Sequence, residues 1–308
     1  MTTTPATTAQ CTNRMVVLPA HWTTKSTTLG SVLLELANVR THVVIDQPTG
    51  PVTGPPVVLS SGLAGNWFDW DSCIELLRSE RTVIRFDRPG YGLSDPWPED
   101  TVPTLDGEVR RYRDLLDALQ IQRGVICGHS MASFYVEAFA REHPERTAAA
   151  VILDGSVEDS PRWVLPTNLR ADLLLRSADV AAASGLSRIG PAVHKLLVDS
   201  EPPAEHAQIL SSEQYLRAAM LENGQYPVLA HELVDLRTKQ PLQPGLPVTV
   251  AAAYTGRPTP WAASWLRQQR GLADRLDARF AVIAPSGHHV MVEQPAQVAA
   301  LILDAGGG

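Results

Sequence analysis

Two short, unbroken apolar runs stand either side of a helix-like stretch: "GVICG", starting at Gly124, and "AAVILD", ending at Asp154. Neither alternates apolar with polar residues, so each reads as a strand buried on both faces. Between them, from about Met131 to Glu142, the sequence is helical in character and stops before Pro144. A strand, a helix and a strand in that order make parallel neighbours, and both faces of their sheet need helices.

The same alternation extends outward. "VLLELANVRTHVVID" (Val32 to Asp46) predicts two paired strands, bounded by the turn-rich "QPTGPVTGPP". "PVVLSSG" (Pro56 to Gly62) and "TVIRFD" (Thr82 to Asp87) predict buried strands. Leu105, Val109, Tyr112, Leu115, Leu116 and Leu119 recur at helical spacing. From about Val157 to Leu246 only helix-like runs appear, punctuated by prolines. Strands resume with "PVTVAAAYTG" and "ARFAVIA", separated by a helix around Ala262 to Leu272, and a last helix runs from Pro295 to Asp304. The expected organisation is a mobile tail over residues 1–30, an α/β core over 31–156 and 247–304, and a helical cap over 157–246.

Net charge is −7 and no Lys/Arg-rich run occurs, which argues against an electrostatic grip on nucleic acid or anionic membrane. The three cysteines, Cys11, Cys73 and Cys127, are widely spaced and form no metal-binding pattern, so reduced thiols in a cytoplasmic protein are expected. The Thr-rich N-terminus lacks the pattern of a secretory signal, and no apolar run is long enough to span a bilayer. No phosphate loop, dinucleotide fingerprint or metal-ligand spacing is present, so no cofactor is expected and the partner is a small-molecule substrate.

"GHSMA" places Ser130 where a buried strand turns sharply into a helix. A serine hydroxyl is a poor nucleophile unless a base, an orienting group and oxyanion donors surround it. On such a turn the hydroxyl projects, and the amide of Met131 lies at a helix N-terminus where backbone donors are free. Gly128 and Ala132 keep the turn sharp. The base is expected late in the chain. "APSGHHVMVEQP" follows the last strand, and the bend at Gly287 presents His288, with His289 as a neighbour and His129 turned into the fold.

The stretches "PPVVLSSGLAGNWFDW", "RTVIRFDRPGYGLSDP", "ALQIQRGVICGHSMAS" and "SGHHVMVEQPAQVAALI", in that order, resemble the α/β-hydrolase family in its capped esterase and lipase-like branch. The resemblance runs from about Leu36 to Leu303. It implies an eight-stranded, mostly parallel sheet with helices on both faces and an inserted helical cap. It also implies Ser130 as nucleophile, His288 as base, and the amides of Leu63 and Met131 as oxyanion hole. Asp87 and Arg88 fall in a loop that is structural in the family.

Two departures stand out. The family often has His-Gly where this chain has Ser61-Gly62, so Ser61 alters the bracing of that loop or adds a hydroxyl to the pocket. The acid is missing from its usual turn, since no Asp or Glu occurs from Leu236 through Ala273. Asp154, at the end of "AVILD", is the expected acid, because a His base needs an orienting partner. Glu158 and Asp159 are the alternatives, as is a site without an acid. Trp67 and Trp163 are expected in the substrate pocket, with Leu165 beside Trp163 at the start of the cap.

The reading that follows is a serine hydrolase of a carboxylic ester or related acyl or lactone bond. A carbon–carbon bond hydrolase or lyase on the same triad, and a ligand-binding receptor, are the alternatives. Epoxide hydrolase and haloalkane dehalogenase chemistry is disfavoured, because those relatives need an Asp at the position of Ser130.

Overall fold

The structure is a computed structural model describing residues 16–17, 30–159, 167–198 and 201–306. In chain order the strands and helices up to Ser130 are β1 (Val16–Val17), β2 (Ser31–Leu36), β3 (Val39–Asp46), β4 (Val57–Ser60), α1 (Asp71–Leu77), β5 (Val83–Phe86), α2 (Leu105–Ala118) and β6 (Gly124–His129). Then come α3 (Ala132–Glu142), β7 (Thr147–Leu153), α4 (Thr167–Ala183), α5 (Gly190–Val198), α6 (Ala204–Leu210) and α7 (Glu213–Lys239). The chain closes with β8 (Val248–Ala253), α8 (Pro260–Arg275), β9 (Arg279–Ile283), α9 (Val290–Glu293) and α10 (Pro295–Ala305).

Among the described residues these strands form one sheet in the order β1-β2-β3-β5-β4-β6-β7-β8-β9. From β5 onward every pairing is parallel, while β1, β2 and β3 run antiparallel. The sheet thus has the eight expected strands and a short ninth. Val16–Val17 falls inside the stretch read as a mobile tail, yet it pairs with Val32 and Leu33. The free edge of β2 offers unpaired backbone groups there, which a second extended segment satisfies.

Local chemistry explains the punctuation. The β2–β3 hairpin turns at Ala37 and Asn38, both with positive φ (48° and 63°), the conformation that matches the twist of a tight hairpin. Thr104, Ser212 and Thr259 cap α2, α7 and α8, each accepting a hydrogen bond from the backbone N–H three residues on.

The central strands read as continuous apolar runs because alternate side chains enter two different cores. In β7, Ala150 and Ile152 face a cluster built with α2, α3, α7 and α8. Ala149, Val151 and Leu153 face the opposite cluster, built with α1, α9 and α10. Each fully buried Leu, Ile or Val contributes about 1.5–3 kcal/mol.

The described residues between β7 and β8 are mainly helical, as the sequence predicts. Its 27-residue helix α7 continues through Pro227. Near its N-terminal end, Leu221 packs with Leu175 and Ala178 of α4. Near its other end, Leu229, Ala230 and Leu233 join the main core cluster.

Candidate active site

The turn at Ser130 is built by close packing. β6 ends at His129, Ser130 takes a left-handed conformation (φ 54°), and α3 starts at Ala132. The Ser130 N–H donates to the Leu153 carbonyl at 3.0 Å, and the Ser130 carbonyl accepts from the N–H groups of Ser133 and Ser156. A β-carbon on Gly128 would lie 2.6 Å from a Val136 methyl and 2.8 Å from the Ala132 carbonyl oxygen. The helix therefore sits on the strand at a distance only glycine permits.

Three side chains from three strand ends meet here. Ser130 Oγ lies 2.9 Å from His288 Nε2. His288 Nδ1 lies 2.6 Å from Asp154 Oδ2. Asp154 stands one residue past β7 with φ 43° and is 3% exposed. Its other oxygen, Oδ1, accepts from the Ala253 N–H at 2.8 Å and from Trp265 Nε1–H at 2.7 Å. With these donors and the imidazole, the buried carboxylate has its polar atoms satisfied. It can orient an imidazole and stabilise the cation formed when that imidazole takes a proton.

His129 supports His288 from beneath. Burial pushes its imidazole well below the usual histidine range, and the neighbouring His288 and His289 push it further. It is therefore neutral, and its Nε2 lies 2.7 Å from the His288 carbonyl oxygen, where an N–H donates. His289 is held down to about 4, first by burial and then by His288, so it too is neutral at pH 7.

The loop after β4 closes over Ser130. A β-carbon on Gly62 would lie 2.8 Å from the Ser130 β-carbon, so glycine is what lets the loop approach. Among the described residues, the N–H groups of Leu63 and Met131 have no protein acceptor, which leaves them available to an incoming oxyanion.

The sequence model of the alpha/beta hydrolase family matches residues 57–301. The chain belongs to this family. It is similar to a serine hydrolase-like protein of Danio rerio, with 32% identity over 108 residues, 35% of this chain and 33% of that protein. Among solved structures it resembles wild-type Cfl2 from Burkholderia cenocepacia (TM-score 0.66, 21% identity, 90% of this chain and 95% of that one). It also resembles a thermophilic esterase from Thermogutta terrifontis (TM-score 0.61, 21% identity, 86% and 92%). The matched stretches span less than half the length of the curated relatives.

In this family member a cavity of about 540 Å³ opens above Ser130. Its floor is Leu63, Ala64, Ser130 and His288; its far wall is Leu186, Ile189, Val193 and Leu197, on α5 and the turn before it. A larger cavity, about 900 Å³, lies at the opposite ends of β8 and β9, beside Val248 and Arg279, and does not include Ser130, His288 or Asp154. Among the described residues, no group of three or more His, Cys, Asp or Glu side chains could hold a metal ion. No helix among them is long and apolar enough to cross a membrane.

Several expected site residues lie elsewhere. Trp67 does not line the cavity. It is 7% exposed, packs edge-on against His42 and Phe68, and its backbone N–H donates to Asp87 Oδ1. The short 3-10 turn over Trp67–Trp70 directs it inward. Ser61 is not a pocket hydroxyl either: it donates to the Asn66 carbonyl at 2.7 Å and accepts from Trp70 Nε1–H at 2.9 Å, bracing the loop. Trp163 and Leu165, like Cys11, lie outside the described residues. Glu158 accepts weakly from the Tyr226 hydroxyl (3.4 Å), and Asp159 pairs with Arg275, so neither contacts His288. Asp87 holds the buried His42 and the Trp67 amide, a structural part.

Other residues escaped the sequence reading. Asp69 and Tyr215 line the cavity. Burial pushes the Asp69 carboxyl up to about 7, with the charges of Asp87 and Asp71 adding to it and the Asn66 amide opposing it. Trp265 reaches the Asp154 carboxylate from α8, a contact that no local pattern announces.

Proposed function

We propose that this protein is a serine hydrolase that cleaves carboxylic esters through an acyl-enzyme. The observation that carries this reading is the 2.9 Å contact from Ser130 Oγ to an imidazole whose other nitrogen is held by Asp154. Ser130 attacks the carbonyl carbon as His288 Nε2 takes the hydroxyl proton. The amides of Leu63 and Met131 receive the developing oxyanion. His288 returns the proton to the leaving alcohol. Water then attacks the acyl-enzyme by the same route, restoring Ser130 and releasing the acid. Asp154 keeps the imidazole in the accepting tautomer and stabilises its cation.

The relatives support this reading: one is named as serine hydrolase-like and another fold neighbour as an esterase. The mainly aliphatic cavity wall supports an ester with an apolar chain, covered by the helical segment between β7 and β8 acting as a cap. The domain boundaries given above belong to the same proposal.

Two measurements test it. A fluorophosphonate probe is expected to label the wild-type chain and not Ser130→Ala. Hydrolysis of p-nitrophenyl acetate is expected from the wild type alone. A wild type that resists labelling and leaves the ester intact refutes the reading.

A further inference from the structure

The oxyanion loop is tied to α7 by contacts that the triad does not explain. The carbonyl of Gly62 and the N–H of Leu63 belong to one planar trans peptide and point in opposite directions. Whatever holds that carbonyl therefore aims that N–H. Arg88 Nη2 donates to the Gly62 carbonyl at 2.7 Å, and Nη1 donates to the Ser61 carbonyl at 2.5 Å. Two residues on, the Tyr215 hydroxyl from α7 donates to the Ala64 carbonyl at 2.7 Å.

Arg88 is itself fixed from α7. Its Nε and Nη2 donate to the two carboxylate oxygens of Glu222, at 2.5 and 2.9 Å, and Tyr91 adds a third hydrogen bond to Glu222. With a longer contact from Nη1 to Ser60 Oγ, all five guanidinium N–H groups have an acceptor. Arg88 is 2% exposed and Glu222 0%. Helix α7 comes close enough for this because Gly90 has no side chain: a β-carbon there would lie 2.6 Å from that of Ala218.

A buried ion pair is a poor means of gaining stability, since matched apolar residues often serve as well. What apolar residues cannot do is hold two backbone carbonyls in a set direction. We propose that Arg88 and Glu222 are positioning residues that keep the 62–63 peptide turned so that the Leu63 amide faces the substrate oxygen, which makes α7 part of the catalytic apparatus. This rests on the serine-hydrolase reading above.

The test is the double variant Arg88→Met/Glu222→Met, which removes both charges together and so avoids stranding either one. It is expected to unfold cooperatively near the wild-type Tm. With p-nitrophenyl butyrate, kcat is expected to fall about 10- to 100-fold, somewhat less than for outright loss of an oxyanion donor. KM is expected to stay within about threefold and the acid limb of the pH profile to stay in place, because the triad is untouched. Arg88→Lys, which can meet Glu222 and one carbonyl but not both, is expected to give an intermediate kcat at the same KM, and it serves if the double variant does not fold. An active wild type beside variants of unchanged kcat, or a loss carried by KM or by a moved acid limb, overturns the proposal and leaves the serine-hydrolase reading standing. A wild type that neither labels nor turns over ester overturns both.

Discussion

Asp154 and His288, 134 residues apart in the chain, meet at 2.6 Å through one carboxylate oxygen and one ring nitrogen. The other carboxylate oxygen is occupied by two N–H donors, from Ala253 and Trp265. This division of labour decides what a neutral replacement would do. In Asp154→Asn the amide oxygen stays with those two donors, and the new NH2 faces His288 Nδ1. That nitrogen must then accept, which puts the ring proton on Nε2, where it cannot take the proton from Ser130. We expect kcat to drop about 10²–10⁴-fold with little change in KM, read from steady-state kinetics. Glu158→Gln and Asp159→Asn should leave kcat within about twofold, since Glu158 and Asp159 pair with Tyr226 and Arg275 instead.

Gly62 sets how near the loop after β4 comes to Ser130, the proposed nucleophile. A methyl group there would fall 2.8 Å from the Ser130 β-carbon, so either the loop or the serine must shift. A displacement of about 1 Å at a reacting group costs about 10²-fold in rate. Gly62→Ala is expected to show that loss in kcat/KM and in the rate of fluorophosphonate labelling. Wild-type labelling would contradict it.

The raised Asp69 carboxyl gives stability a pH dependence of known sign. The folded chain holds this proton until about pH 7, whereas the unfolded chain releases it near the ordinary value of 3.8. The folded state thus binds the proton more tightly, and stability falls as pH rises through that window. Asp69→Asn, whose side-chain oxygen can still accept from the Asn66 N–H, removes this penalty. Thermal melts should put the variant above the wild type at pH 8, with the difference closing toward pH 4.

The aliphatic cavity wall predicts a dependence on chain length. Leu186, Ile189, Val193 and Leu197 are between 45% and 59% exposed, unusual for four large apolar side chains around one opening. A bound acyl chain would cover them. Along a series of p-nitrophenyl esters from acetate upward, kcat/KM should rise roughly fourfold per methylene until the wall is covered, the gain for burying one CH2. Val193→Asp should flatten the series and spare the acetate.

Much of this was legible in the sequence because it is local. The run from Gly124 to Ala132 carries strand, glycine, serine and helix within nine residues, and the turn follows from steric limits alone. Asp154 could be placed at a strand end, but its reach to His288 depends on a left-handed backbone (φ 43°) that no pattern announces. Trp67 and Ser61 flank the loop after β4, which makes both pocket candidates in the sequence, while the bracing role also open to Ser61 is the one it fills. Whether such a side chain faces in or out is settled by tertiary packing: Trp67 meets His42 from β3, and the Ser61 hydroxyl meets the Trp70 indole. Tyr215, Glu222 and Trp265 were invisible for the same reason: each acts from a helix whose docking is a tertiary event.

Helix α7 has one end among the inserted helices and the other locked into the main core through Leu229, Ala230 and Leu233. A roof beam sunk into the house wall cannot be lifted without pulling the wall with it. Helix α5 along the same cavity has no buried residue, so a passage past it, rather than a wholesale opening, would leave the main core undisturbed.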